Sequence, residues 1–351
     1  MRKALQILLL PAVFLASTWA ADYKAIEPAE GYAHDRWQTQ PADLVQQFRA
    51  YTVSFDGRDD NDGDGDADCW GLPEWVAYEI RSHDGLAKGP KRPGTWLTDR
   101  ELAKQGIAPK DDTYRNSGYD RGHMCMKQIA WRLGAAADWN THTVLNACPQ
   151  LHKFNAGIWL DMEFKTQNWA DEYGAVWVIC GPVIRDRKPI QFIGDEGEMR
   201  IPVPDGFFKI VAKQDEDGVD VVAFLYPHED IQKVDGRYDH RRYVVPVDQI
   251  EEATGLDFLT VLPDEMEEKL ESETDTEDWE WGNGVRPNTR RRGTALTPSD
   301  VTYYVSTGTS KKFHKPTCRY AKPLEEPGVL KFESREDALA AGKEPCKVCK
   351  P

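Results

Sequence analysis

The 351 residues are 40% hydrophobic and include twelve tryptophans, material for one large domain and a smaller one at about 150 residues each. Past the N-terminus no stretch is apolar enough for long enough to span a bilayer, which excludes an internal membrane anchor. The net charge of −15 argues against a surface that is basic throughout, yet it is concentrated: Asp56–Asp68 holds seven acids and one arginine, and Asp264–Glu280 ten acids and one lysine. The rest of the chain is close to neutral, so a local site is free to be positive.

Residues 1–20 read as a secretory signal. Arg2 and Lys3 precede the apolar run Ala4–Ala16, and Thr18-Trp19-Ala20 supplies small residues for cleavage after Ala20. The run is short for a spanning anchor, the competing reading. The expectation is a secreted or periplasmic protein with no membrane attachment after cleavage, in a compartment that permits disulfides. Residues 21–49 form an N-terminal arm. Asp60, Asp62 and Asp64 alternate, with Gly65 sixth, like the start of a calcium loop, but Gly71 stands where the closing glutamate belongs. A solvated acidic loop is the alternative there.

Trp75–Ile80 has the aromatic and β-branched content of a buried strand. In Asp120-Arg121-Gly122-His123 the arginine and histidine are two apart, so a strand projects both from one face, with Gly122 allowing close approach between them. Thr143–Asn146 and Val176–Ile179 read as further strands. Between them Ile158–Tyr173 reads as a helix with Ile158, Met162, Lys165 and Trp169 near one face. Val219–Tyr226 and Tyr243–Val247 complete a mixed central sheet, and the interleaving predicts an α+β fold over residues 50–263. Residues 264–300, acidic and then basic at Arg290–Arg292, have the composition of a linker. Residues 301–351 regain aromatic and β-branched residues and form a separate small domain.

The stretch 120–163 holds parts suited to phosphodiester hydrolysis. A neutral imidazole is an effective base near pH 7, a role for His123. Arg121 on the same face suits bidentate phosphate binding. A divalent ion would stabilise the departing 3′ oxygen. On a straight helix Asn155 and Glu163 would lie about 80° apart in azimuth and ~12 Å apart along the axis. Side chains tilt toward the helix N-terminus, so Asn155 is the expected direct ligand and Glu163 orients ion-bound water. Magnesium, which keeps several waters, suits such a sparse donor set. Taken singly, these residues read as a surface ion pair, a helix cap and a solvated charge; their joint spacing favours the site.

Several motifs in order resemble the DNA/RNA non-specific endonucleases of the ββα-metal (His-Me finger) superfamily. They are Asp120–His123, Leu145-Asn-Ala-Cys-Pro-Gln150, and Asn155-Ala-Gly-Ile-Trp159 leading to Glu163. Tyr78, Gly181-Pro182 and Thr254-Gly-Leu-Asp-Phe258 also match, over about residues 50–262. The resemblance implies a ββα-metal motif and a magnesium- or manganese-dependent endonuclease that cuts DNA and RNA and leaves 5′-phosphates. By position it makes His123 the general base, Asn155 the metal ligand, Glu163 the water-orienting acid and Arg121 the phosphate stabiliser, with Asn146 near the site. The family's upstream arginine precedes a Trp-x-Thr-Asp element, here Trp96–Asp99, but the aligned position is Gly94 and Arg92 is the nearest arginine.

Seven cysteines, at 69, 125, 148, 180, 318, 346 and 349, leave at least one unpaired within the chain. His314-x3-Cys318 and Cys346-x2-Cys349 offer four ligands at zinc-like spacings; a Cys346–Cys349 or Cys318–Cys346 disulfide is the alternative. This segment resembles an Ada-like metal-binding module, with histidine for one of that module's four cysteines. From Val301 onward ten Lys/Arg face six Asp/Glu, and Lys311, Lys312, Lys315, Arg319 and Lys322 cluster near the first ligand pair. Such a patch suits phosphate-backbone contact, or simply a soluble face. Nucleic acid is the expected partner, and the sequence leaves the oligomeric state open. The competing functional reading is a nucleic-acid-binding or uptake protein on the same fold, which would have no need of the base His123.

Overall fold

The computed structural model describes residues 29–57, 70–83, 96–214 and 218–282, then 304–308, 310–315, 318, 321, 328–332 and 334–346. The signal at 1–20, the Asp60–Asp68 loop, Cys69, Arg92, Arg290–Arg292, Arg319, Lys322 and Cys349 lie outside the described residues. The chain divides into two compact units, Met1–Ser82 with Pro90–Val285, and His83–Gly89 with Arg286–Pro351.

The first half of the larger unit runs β1 (Leu44–Gln47), β2 (Thr52–Phe55), β3 (Pro73–Arg81), α1 (Arg100–Gln105), β4 (Asp120–His123), α2 (Lys127–Trp131), α3 (Ala135–Asn140), β5 (Ala147–Gln150), α4 (His152–Phe154) and α5 (Leu160–Tyr173). The second half adds β6 (Ala175–Val183), β7 (Phe192–Ile193), β8 (Ile201–Pro202), β9 (Gly206–Gln214), β10 (Val219–Pro227), β11 (Val244–Val245), α6 (Val247–Thr254) and α7 (Asp264–Ser272).

Seven strands form the central sheet in the order β1-β2-β3-β6-β9-β10-β11. Every pairing in it is antiparallel, so the expected mixed sheet is corrected to an antiparallel one within an α+β fold. Apolar runs such as Val176–Ile179 arise because both faces are covered. Val76, Tyr78, Val176 and Val178 enter one core, and Trp75, Ala77, Trp177 and Ile179 the other, following the two-residue alternation of a strand. α5 packs on β3 and β6 over the first core, while α6 and α7 lie on β10 over the second. Among the described residues no helix is long and apolar enough to cross a membrane.

Three local expectations change. Thr143–Asn146 is not a strand: Val144–Asn146 forms a helical turn, which the Thr143 hydroxyl caps by accepting from Leu145 N at 3.4 Å, and the strand begins at Ala147. Of Tyr243–Val247 only Val244 and Val245 pair with β10, because Pro246 has no amide to donate and instead opens α6. Asp264–Gly282 is not a linker. It forms α7 and then places Trp279 in the core, 4.7 Å from the Trp169 ring, with Trp169 Nε1 donating to Glu280 O at 2.7 Å. Acidic composition concealed two tryptophans that anchor this segment on α5; the remaining linker positions, 283–300, lie outside the described residues.

The smaller unit pairs β12 (Tyr304–Thr307) with β14 (Val329–Phe332) antiparallel, and β13 (Lys312–Phe313) with β15 (Glu344–Pro345) in parallel. Its helix α8 (Arg335–Ala340) is capped by Ser334, whose hydroxyl accepts from Asp337 N at 3.0 Å. Val305, Phe313 and Ala338 are buried beneath these elements.

Candidate active site

β4 and β5 pair antiparallel, and the chain then turns through α4 and a π turn, Asn155–Trp159, into α5. Two strands and a helix therefore bring 120–123 beside 155–163. Trp159 Nε1 donates to His123 O at 3.1 Å, and Asn155 Nδ2 donates to Asp120 Oδ2 at 2.9 Å. These two bonds tie strand to helix at the histidine and at the asparagine. His152 Nδ1 meets the same Asp120 oxygen at 2.8 Å. Because a π turn precedes α5, the straight-helix estimate of the Asn155–Glu163 separation does not apply; π turns recur at functional sites. Gly157 within the turn is pressed against Tyr238: a Cβ there would lie 2.9 Å from Tyr238 Oη.

His123 sits half-buried at the end of β4. Its ring centroid is 4.7 Å from that of Trp96 and 5.2 Å from that of His142, edge to face. Gly122 is required for a reason other than the close approach of Arg121 and His123. A Cβ at Gly122 would sit 2.0 Å from Gln150 Oε1, and Gln150 is fully buried on the paired strand.

Arg121 lies 2.6 Å through Nε from Asp111 Oδ1 and donates from Nη2 to Asp111 O at 2.7 Å. Its guanidinium carbon is 5.4 Å from the Tyr114 ring centroid. The fork is thus held on one side by Asp111, which fixes where it points.

Glu163 is buried, 3% exposed, on the first turn of α5. Burial pushes its carboxyl up to about 8, opposed by the positive charge of Lys209. Its Oε1 has no hydrogen-bond partner, an uncompensated cost for a buried acceptor. Asn155 offers a carboxamide oxygen and Glu163 a carboxylate, both hard donors, so a magnesium-class cation fits this pair.

Asn146 is placed differently from a reacting group. Its Oδ1 accepts from Cys125 N at 2.8 Å, and its Nδ2 donates to Cys125 O at 2.9 Å and Thr141 O at 3.0 Å. All three bonds are to backbone and the residue is fully buried, so it secures the chain just after His123. Arg92 lies outside the described residues.

Sequence reasoning missed His142 beside the imidazole, Asp111 behind Arg121, and Lys209; Trp96 and Asp120 stood in its motifs, without their contacts to His123 and Asn155. The lysine had a legible signal: it is the lone charge in Gly206-Phe-Phe-Lys-Ile-Val. It is fully buried, with Nζ 3.9 Å from the Trp159 ring centroid. Beside the site, Trp96, Arg100, Lys104, Lys110 and Asp111 line a cavity of about 670 Å³.

In the smaller unit His314, Cys318 and Cys346 bring their donor atoms within 4.8 Å of one another, and His314 Nδ1 is 3.3 Å from Cys318 Sγ. No disulfide joins Cys318 to Cys346; Cys349 lies outside the described residues. One imidazole and two thiols at this separation fit a tetrahedral zinc ion. Cys125, Cys148 and Cys180 are buried free thiols whose pKa values burial raises.

A family model described as DNA/RNA non-specific endonuclease matches residues 46–265, more than half of the chain. The mitochondrial nuclease of Saccharomyces cerevisiae is 28% identical over 214 residues, covering 56% of this chain and 63% of that protein. Endonuclease G of Homo sapiens, mitochondrial, is 27% identical over 192 residues, covering 53% and 63%. A nuclease of Serratia marcescens is 30% identical over 205 residues, covering 56% and 72%. The chain thus spans less than two thirds of the length of the yeast and human relatives. The crystal structure of the EndoG/EndoGI complex matches with a TM-score of 0.51 at 22% identity, covering 65% of this chain and 91% of that one, a likeness of fold.

Proposed function

The chain belongs to the DNA/RNA non-specific endonuclease family, and we propose that it is an exported, magnesium-dependent endonuclease that hydrolyses DNA and RNA to 5′-phosphate products. The observation that carries this reading is the junction of β4 and α5, where the Trp159–His123 and Asn155–Asp120 hydrogen bonds tie the strand that carries Arg121 and His123 to the turn and helix that carry Asn155 and Glu163.

The chemistry follows from these side chains. His123, its ring braced by Trp96 and His142, accepts a proton from a water molecule. The oxygen of that water bonds to phosphorus as the bond from phosphorus to the 3′ oxygen breaks, and the 3′ oxygen leaves to be protonated. Arg121, steadied by Asp111, neutralises charge on the phosphate oxygens. Asn155 and Glu163 would hold a magnesium ion, directly and through water. Bound there, the ion supplies charge stabilisation at the phosphate and at the leaving oxygen. Arg100, Lys104 and Lys110 outnumber Asp111 and Asp112 around the adjoining cavity, a balance that suits a polyanionic strand.

In the smaller unit His314, Cys318, Cys346 and Cys349 are proposed zinc ligands, and its lysine excess is proposed to retain nucleic acid. Zinc near one equivalent, falling in Cys318→Ser, is the expected metal analysis. Export predicts a mature N-terminus at Ala21.

The test is cleavage of supercoiled plasmid and of RNA with magnesium and with EDTA, followed by analysis of the product ends. Cleavage of both polymers only with the ion, leaving ends that ligate without prior phosphorylation, is expected. Binding without cleavage would favour the uptake reading.

A further inference from the structure

α6 and α7 meet through acidic side chains on the face of the sheet away from α5. Asp248, Glu251 and Glu271 bring one carboxylate oxygen each within 4.8 Å of the others, and so do Asp257, Glu267 and Glu271. Two triads thus share Glu271. That residue is only 7% exposed, and its Oε1 is buried without a hydrogen-bond partner. The charges acting on it come from Glu251, Glu267, Asp257 and Asp248, all of the same sign. No basic side chain contributes; the compensation described is a hydrogen bond between the Glu251 and Glu271 carboxyls, which share a proton.

The acidic first turn of α7, with Asp264, Glu265 and Glu267, is explained by the helix dipole. Glu271 is not, because it stands in the last turn of α7, where a negative charge is disfavoured. Glu251 is likewise in the second half of α6, and its Oε1 accepts from Phe258 N at 2.9 Å. That bond fixes one oxygen and orients the carboxylate. Burying a carboxylate beside four others is costly unless a proton or a cation joins them. Each triad is an all-oxygen set and the two are joined at Glu271, so together they have capacity for the six to eight oxygen ligands that calcium prefers. Magnesium holds its waters and demands a tighter octahedron, so it suits this set less.

We propose that Asp248, Glu251, Asp257, Glu267 and Glu271 form a calcium site that staples α6 to α7. The consequence reaches α5. α7 leads into Trp279 and Glu280, which hold Trp169 of the helix that carries Glu163. Calcium there stabilises the closing segment of the unit and is separate from the Asn155–Glu163 pair.

The experiment uses the full chain with Asn155→Ala, cleared of metal with EDTA and titrated with calcium or magnesium chloride while thermal unfolding is followed. Calcium a hundredfold above its Kd is expected to raise Tm by about 5 °C, with magnesium less effective. Glu271→Gln should abolish the rise and, by relieving like-charge repulsion, should melt no lower than its parent in EDTA. If that variant does not fold, Asp248→Asn, at an exposed position, should weaken calcium binding about tenfold. A calcium response unchanged in both variants would place the ion elsewhere and overturn the proposal, as would no response in the parent. A response to magnesium alone would overturn the assignment to calcium.

Discussion

Glu163→Gln should reverse part of the pH dependence of stability in the metal-free protein. In the folded chain burial holds the Glu163 carboxyl at about 8, against an ordinary value of 4.5. A raised carboxylate pKa means that the native state keeps a proton that the unfolded state releases between these values. Stability therefore falls as pH rises through that window, by about 1.4 kcal/mol per pH unit from this one group. Across the full window the loss is about 5 kcal/mol. Glutamine keeps the shape, stays neutral and removes the term. Urea unfolding in EDTA at a series of pH values should show the variant matching wild type near pH 4.5 and exceeding it progressively toward pH 8. Every other titrating group, Glu271 included, is common to both proteins and cancels. Magnesium should narrow the gap, because only the ionised carboxylate attracts it. Parallel pH profiles for the two proteins in EDTA would refute the reasoning.

Three further substitutions probe the scaffold. Gly122→Ala drives a methyl against buried Gln150 and should cost about 1–3 kcal/mol in urea unfolding. Asn146→Ala strips hydrogen bonds from Cys125 and Thr141 and should cost about 2–3 kcal/mol, with a lower kcat, while replacement at a surface position should leave both measurements unchanged. Ending the chain after Pro263, the boundary that composition suggests, should expose Trp169 and lower Tm by several degrees relative to ending it after Gly282; equal Tm values would restore the linker reading of 264–282.

The strands of the sheet core were legible where β-branched and aromatic residues run together, as at Trp75–Ile80 and Val176–Ile179. Their pairing was not, because strands covered on both faces lose the apolar–polar alternation that marks an antiparallel sheet with one open face. Thr143–Asn146 misled for a different reason: its β-branched composition yields to the Asn146 side chain, which bonds backbone across a sequence gap of about twenty residues. The site itself was legible because its residues fall within some forty positions. Asp111 and His142 reach it from elsewhere in the chain, and tertiary placement of that kind leaves no local pattern, whereas Trp96 stood in the Trp96–Asp99 element and Lys209 was a lone charge in an apolar strand. Asp264–Glu280 shows the limit of composition, since ten acids outweighed the tryptophans that dock the segment.

The central claim is that His123 is the base that activates water. It is tested most directly by plasmid cleavage in saturating magnesium with His123→Ala, after circular dichroism has shown the variant folded. The account predicts a rate lower by about 10²–10⁴-fold with DNA binding retained. Cleavage at the wild-type rate would contradict it.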